Sequence, residues 1–162
     1  MLIIDTDAAS VLAKGKLLDE TLELFDNHEV VITPKIEEEL EKPLEHGYNY
    51  PNQIFEKIDT ESPTEKERKQ YREWFNEQSV DKGELEAITI AESRDAIFFT
   101  MDQAANQYAE KQKVQTLAFN NLVKLLHEKE IMSKEDLKDS IKLIEQKDNR
   151  KIDTDEIFQE EQ

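Results

Sequence analysis

The chain has 162 residues, with 38 acidic against 21 basic side chains and a formal net charge of −17. That length suits one domain with a real core. The acidic excess counts against a non-specific nucleic-acid binder, yet leaves room for a nuclease whose bound cations reset the local field. With no cysteine, disulfides, thiolate nucleophiles and cysteine-ligated zinc are excluded, and His28, His46 and His127 have no ligand spacing. No signal peptide or membrane-length apolar run is present, so a cytoplasmic location away from membranes is the expectation.

The first predicted strand is Leu2 to Ile4, with Asp5 at its C-terminal end. In an open parallel sheet, chemistry collects at the C-terminal strand ends, so Asp5 is the first candidate site residue. Thr6 to Ala13 reads as a helix that Asp5 or Thr6 can cap; Gly15 breaks it, and Leu17 to Phe25 reads as a second short helix. Glu29 to Ile32 is the second predicted strand. Thr33 and Pro34 mark a helix start with Thr33 as N-cap, and Ile36, Leu40 and Leu44 give it a buried stripe. Glu37, Glu38, Glu39 and Glu41 read as first-turn or solvent-facing acids, none singled out by composition.

Residues 43 to 63 are the least regular stretch and read as a loop with a short helix at 52–58. A charged helix follows over 64–75, with Thr64 and Glu67 as its capping box. Tyr48, Tyr50, Tyr71 and Trp74 form either a stacking surface for substrate or the glue of a helical insertion. Asp81 opens the next helix with Glu84 three residues later, a second capping box, and Gly83 permits close backbone approach. Whether Glu84 also faces a site stays open at this point.

Strand (96–99), helix (103–110), strand (114–117) and helix (120–127) then alternate at the pace of parallel crossover units. Asp102, at a strand-to-helix junction, reads as a helix cap or as a site carboxylate. Ser133 starts a last helix carrying Leu137, Ile141 and Ile144. Residues 1–150 are thus the expected single domain, with a helical insertion at about 43–80. Residues 151–162 form an acidic tail, either frayed or an arm that docks on a partner.

Asp5, Glu84 and Asp102 are expected at one sheet edge, where clustered like charges have few structural uses. Magnesium or manganese relieves such repulsion, since both are hard cations that prefer carboxylate and water oxygens. No P-loop and no GxGxxG is present, which argues against an NTPase or a dinucleotide enzyme. The absence of cysteine and the scattered histidines leave little case for acyl transfer.

Four stretches carry a resemblance: LIIDTD at 2–7, VVITPKIEEEL at 30–40, DKGELEAITIA at 81–91 and IFFTMD at 97–102. In order and spacing they resemble the PIN-domain family from residue 1 to about residue 130. The resemblance implies a three-layer α/β/α fold with a central parallel sheet. It also implies a metal-dependent ribonuclease using Mg²⁺ or Mn²⁺, in many members the toxin of a toxin–antitoxin pair. The family's four acidic positions fall on Asp5, Glu39, Glu84 and Asp102, and Thr6 and Thr100 match hydroxyl positions beside the first and fourth. On that resemblance Asp5 anchors the principal ion, Glu84 and Asp102 ligate it directly or through water, and Glu39 positions a second ion or the attacking water. The implied partners are RNA as substrate, an antitoxin or other basic protein, and a second copy of the chain.

The 43–80 stretch is longer than compact members require, and Gln103 and Asn106 stand where many members carry a further acid. Lys14, Lys16, Lys35 and Lys82 are the basic residues close enough in sequence to serve phosphate binding. The alternative is a non-catalytic PIN-like regulatory protein that binds a basic protein partner through its acidic surface or C-terminal arm. Basic residues at the crevice rim favour the nuclease; an unbroken acidic rim favours the regulatory protein.

Overall fold

Strand β1 (Leu2–Ile4) is apolar throughout and fully buried, which suits the middle of a sheet covered on both faces. The computed structural model describes residues 1–77 and 79–158. β1 pairs in parallel with β2 (Val30–Ile32) on one side and β4 (Ile97–Phe99) on the other, in the registers Leu2 to Val30 and Ile3 to Phe98. β3 (Asp59–Thr60) and β5 (Gln115–Leu117) form the edges, giving the order β3-β2-β1-β4-β5. The chain moves outward from β1 to β3 and then crosses back to β4 and β5. Right-handed crossovers therefore send helices to both faces, the three-layer α/β/α arrangement expected from the sequence.

Helices α1 (Thr6–Lys14) and α2 (Leu18–Leu24) connect β1 to β2, and α3 (Pro34–Glu45) and α4 (Tyr50–Lys57) connect β2 to β3. α5 (Glu65–Glu73) and α6 (Lys82–Arg94) lead back to β4, and α7 (Gln103–Lys111) leads to β5. α8 (Phe119–Glu128), α9 (Lys134–Asp148) and α10 (Thr154–Ile157) follow. The fully buried side chains Leu2, Ile3, Ile4, Phe98 and Phe99 lie on the two central strands, each stabilising the fold by roughly 1.5–3 kcal/mol. The strand order reverses between β1 and β4, and their C-terminal ends open the crevice that such a switch point creates.

Several elements differ from the sequence expectation. β3 is exposed and polar, so no apolar pattern announces it; it exists by pairing with Val31 and Ile32, extended by the Glu61 N–H donating to the Ile32 carbonyl at 2.8 Å. α3 runs through Pro43 to Glu45, although Pro43 leaves the Glu39 carbonyl without its helical donor. Thr33 occupies the N-cap position of α3 but makes no side-chain cap bond. The Lys35 N–H is taken instead by buried Glu86 of α6 at 2.9 Å, and the Thr33 hydroxyl is left buried without a partner. In the C-terminal segment, Ile157 of α10 is buried and α10 lies against α8, so through Phe158 this segment docks on its own domain. Residues 159–162 of the expected tail lie outside the described residues.

The insertion is fixed at both ends. α4 packs on α1 and α3, while α5 packs on α6. The Thr64–Glu67 capping box forms as expected, but Glu67 is also buried and accepts two bonds from Arg94, from Nε at 2.9 Å and Nη2 at 2.8 Å. Arg94 Nη1 reaches Glu61 at 2.9 Å, so α6 and the insertion share one charged clamp. Burial pushes the Glu67 carboxyl up, but the Arg94 and Thr64 hydrogen bonds outweigh it and hold the carboxyl down at about 2. Its contribution to stability is present above the ordinary carboxyl range and is lost as pH falls toward 2. Arg94→Met is expected to lower the unfolding free energy by about 2–4 kcal/mol at pH 7. In urea titrations the loss should shrink toward pH 4, where unpartnered Glu67 can take a proton; an undiminished loss at pH 4 would show that packing, not charge, sustains the clamp.

Candidate active site

Asp5 follows β1 and caps α1 from extended backbone, its Oδ1 accepting the Thr6 N–H at 2.7 Å. Its own N–H continues the central pairing by donating to the Phe99 carbonyl at 2.9 Å. The carboxylate is only 5 % exposed, and its Oδ2 accepts the Thr100 hydroxyl at 2.8 Å. That hydroxyl in turn accepts the Asp102 N–H at 3.0 Å. On the other side the Thr6 hydroxyl donates to Glu39 Oε2 at 2.7 Å. One run of hydrogen bonds therefore links Glu39, Thr6, Asp5, Thr100 and Asp102 across the ends of β2, β1 and β4.

Glu84 arrives from α6. Its Oε1 accepts the Asp81 N–H at 2.9 Å while Asp81 Oδ1 accepts the Glu84 N–H at 2.8 Å, the expected capping box. Gly83 brings this helix start close to α3: a Cβ there would lie 2.2 Å from Glu39 Oε1. Asp102 is exposed and caps α7, its Oδ1 accepting the Ala105 N–H at 3.0 Å. For both residues, capping and facing the site are compatible, because each cap bond uses one carboxylate oxygen. Asp5, Glu39, Glu84 and Asp102 all line one open crevice of about 450 Å³.

Two more acids line that crevice, Asp81 and Asp7. Sequence reading places Asp81 only as a cap; the signal was there, since the capping box that carries Glu84 carries Asp81 with it. Asp7 lies on the first turn of α1 and is bound by Arg150 at 2.8 Å. Of the lysines picked from sequence, Lys14 lines the crevice, held by Asp148 at 2.6 Å with its ammonium 4.6 Å from the Tyr50 ring centroid. Arg150 also pairs with Asp148 at 3.0 Å. Lys16, Lys35 and Lys82 do not line it; Lys35 lies over Tyr71 and Lys82 near Phe75. Asn106 is turned to Glu110 at 3.2 Å. The four aromatics form no single surface, since Trp74 meets Tyr108 edge-on and Tyr71 meets Phe75, whereas Tyr48 and Tyr50 lie together beside the site.

Crowding shows in proton affinity. Burial pushes the Asp5 carboxyl up to about 7 against the Thr100 and Thr6 bonds, and the charges of Asp81 and Glu39 add to the rise. Burial, with the charges of Asp5, Asp81 and Asp102, pushes Glu84 up to about 8. Glu39 is raised as well, by burial first and by Asp81. An all-carboxylate set held under mutual repulsion fits a hard divalent cation in kind. Among the described residues, no three such side chains are already gathered into a cation-coordinating group. The donors suit an ion, and their convergence is not preformed.

Both Asp5 and Glu84 bind protons more tightly folded than unfolded. Stability of the metal-free protein therefore falls as pH rises from the ordinary carboxyl range, about 4, through about 8. Melting temperatures should drop by several degrees between pH 6 and pH 8.5. Asp5→Asn, which keeps the shape and removes the charge, should melt higher than wild type at pH 8.5 and show a flatter profile. Parallel profiles for the two proteins would mean that Asp5 is not the strained charge.

A family model described as PIN domain matches residues 1–158. No curated protein and no solved structure gives a significant match. The matched span contains all five strands and every acid of the crevice, and the chain belongs to the PIN-domain family.

Proposed function

We propose that the chain is a ribonuclease that hydrolyses RNA phosphodiester bonds with magnesium or manganese held at the Asp5, Glu39, Glu84 and Asp102 crevice. The observation that carries this reading is that four acids from four separate segments line one open crevice, the innermost carboxylate buried. A divalent ion bound there supplies Lewis-acid polarisation of the phosphodiester and a water of lowered pKa. The chain supplies the frame. Asp5 is locked by the Thr6 N–H and the Thr100 hydroxyl, so its oxygens are fixed in place as the anchor. Glu84 and Asp102 each use one oxygen in a cap and offer the other to the crevice. Glu39, oriented through Oε2 by Thr6, presents Oε1 to position the attacking water and take its proton.

The regulatory alternative calls for an unbroken acidic rim. Lys14 at the crevice, with Lys42 and Lys147 in the adjoining groove, breaks that rim and favours the nuclease. Within the nuclease reading, the family resemblance extends to the toxin of a toxin–antitoxin pair. The net charge of −17 suits a basic antitoxin as partner.

Calorimetric titration with Mn²⁺ should show binding by wild type that Asp5→Asn loses, and RNA cleavage that EDTA abolishes should vanish in the same variant. Cleavage retained by Asp5→Asn sinks the assignment. A wild type that takes up no metal at millimolar Mn²⁺ moves the reading to partner binding. Gly83→Ala is a second probe: its Cβ would collide with the end of the flexible Glu39 side chain and lie in ordinary contact, 3.5 Å, with Asp81 Oδ1. The variant should fold with a melting temperature within a few degrees of wild type, while Mn²⁺ affinity or cleavage falls about tenfold or more, a loss of about 1.4 kcal/mol. Unaltered activity there would remove Glu39 from the site.

A further inference from the structure

Beside the acidic crevice lies a larger groove of about 720 Å³, lined among others by Lys14, Lys42, His46, Tyr48, Tyr50 and Lys147. Lys14, Glu39 and Tyr50 line both, so the two are continuous. Their chemistry is opposite. Among the described residues Glu39, at the boundary, is the sole acid lining a groove that holds three lysines, in a protein with a net charge of −17. Lys14 is committed to Asp148, whereas Lys42 and Lys147 are exposed and without an ion-pair partner among the described residues.

Tyr48 is 62 % exposed, an unusual position for a large ring. It is not on a loose loop. Gly47, with φ +85, reverses the chain after α3, and the Gly47 and Tyr48 N–H groups donate to the Leu44 and Pro43 carbonyls at 3.2 and 3.1 Å. The Tyr48 ring stands 6.5 Å from that of Tyr50, tilted by 57°. Tyr50 is itself held by the Ser10 hydroxyl, which donates to its oxygen at 3.3 Å, and by the Lys14 ammonium over its ring. The result is an exposed aromatic face on an anchored turn, flanked by the exposed ammonium groups of Lys42 and Lys147 next to a cluster of acids.

We propose that this groove is the subsite for the nucleotide next to the scissile phosphate of single-stranded RNA. The base stacks on Tyr48, and Lys42 and Lys147 meet the flanking phosphates. The proposal rests on the nuclease reading of the adjoining crevice and assigns the neighbouring nucleotide to side chains of α3, the turn after it and α9. A duplex keeps its base faces stacked inside, so only an unpaired base can lie on Tyr48. Stacking of this kind tolerates any base, and lysines read phosphate without sequence, so the subsite selects strand state and not sequence.

The test is fluorescence anisotropy with labelled octauridylate on the full chain carrying Asp5→Asn and Glu84→Gln. That background silences the proposed cleavage and removes two ionisable carboxyls from the crevice. Adding Tyr48→Ala should weaken binding about tenfold, while Tyr48→Phe should restore it to within about twofold. Lys42→Gln and Lys147→Gln should each flatten the log–log salt dependence by about 0.7. A blunt duplex of equal length should bind at least tenfold more weakly than the single strand. Equal affinity with and without the Tyr48 ring, equal affinity for duplex, or no measurable binding of the single strand overturns the subsite. Cleavage of octauridylate by the Asp5→Asn, Glu84→Gln background overturns the placing of catalysis at the acidic crevice instead, and a gel of the binding samples reads it separately from the affinity ratios.

Discussion

Water would solvate an aspartate far better than the end of a central strand does, and yet Asp5 lies at 5 % exposure where β1 and β4 meet. One hydroxyl and one N–H offset part of that penalty. The Thr6 N–H and the Thr100 hydroxyl bond Asp5 directly, and the Thr6 hydroxyl passes the arrangement on to Glu39. The remainder appears as proton affinity raised by burial and by neighbouring acids. Everything around the crevice follows from holding that one group in place. The sheet reverses its order beside it, α1 begins on it, and α6 carries a glycine in its first turn so that α3 can come near.

The insertion takes on meaning in the same terms. A crevice of six acids repels the polyanion it is proposed to cut; Lys14, Lys42 and Lys147 supply the counterweight, and the insertion adds the aromatic face beside them. α4 brings Tyr50 against Lys14, the turn after α3 presents Tyr48, and Lys42 lies on α3 between them and Glu39. At the far side, Arg94 ties Glu61 and Glu67 to α6, so the same segment that frames the groove also steadies the helix that carries Glu84. Charge is thus sorted over short distances in a molecule whose total charge suggests only repulsion.

Local chemistry made much of this legible. Three apolar residues and an acid mark β1, two capping boxes mark α5 and α6, and alternating strands and helices mark the parallel sheet. Glu39 was different: among five glutamates in α3 only the family resemblance selects it, since which one meets Thr6 and Gly83 depends on where α3 lies. β3 was illegible because its two residues are polar and become a strand only through Val31 and Ile32. Glu67 reads as a cap and turns out buried because its partner, Arg94, is 27 residues away. The division of the aromatics had no local signal either, since Trp74 finds Tyr108 across the fold.

The rim of the crevice is fastened by residues from the other end of the chain. Asp148 grips Lys14 across 134 positions, and Arg150 grips Asp7 across 143. At roughly 5–20 residues per second of synthesis, α1 waits on the order of ten seconds for the side chains that clasp it. A protein read as a cutter of RNA is built while tethered, through the ribosome, to an RNA. The late arrival of Asp148 means that the rim of the crevice is fastened only after the 134 positions beyond Lys14 have been added.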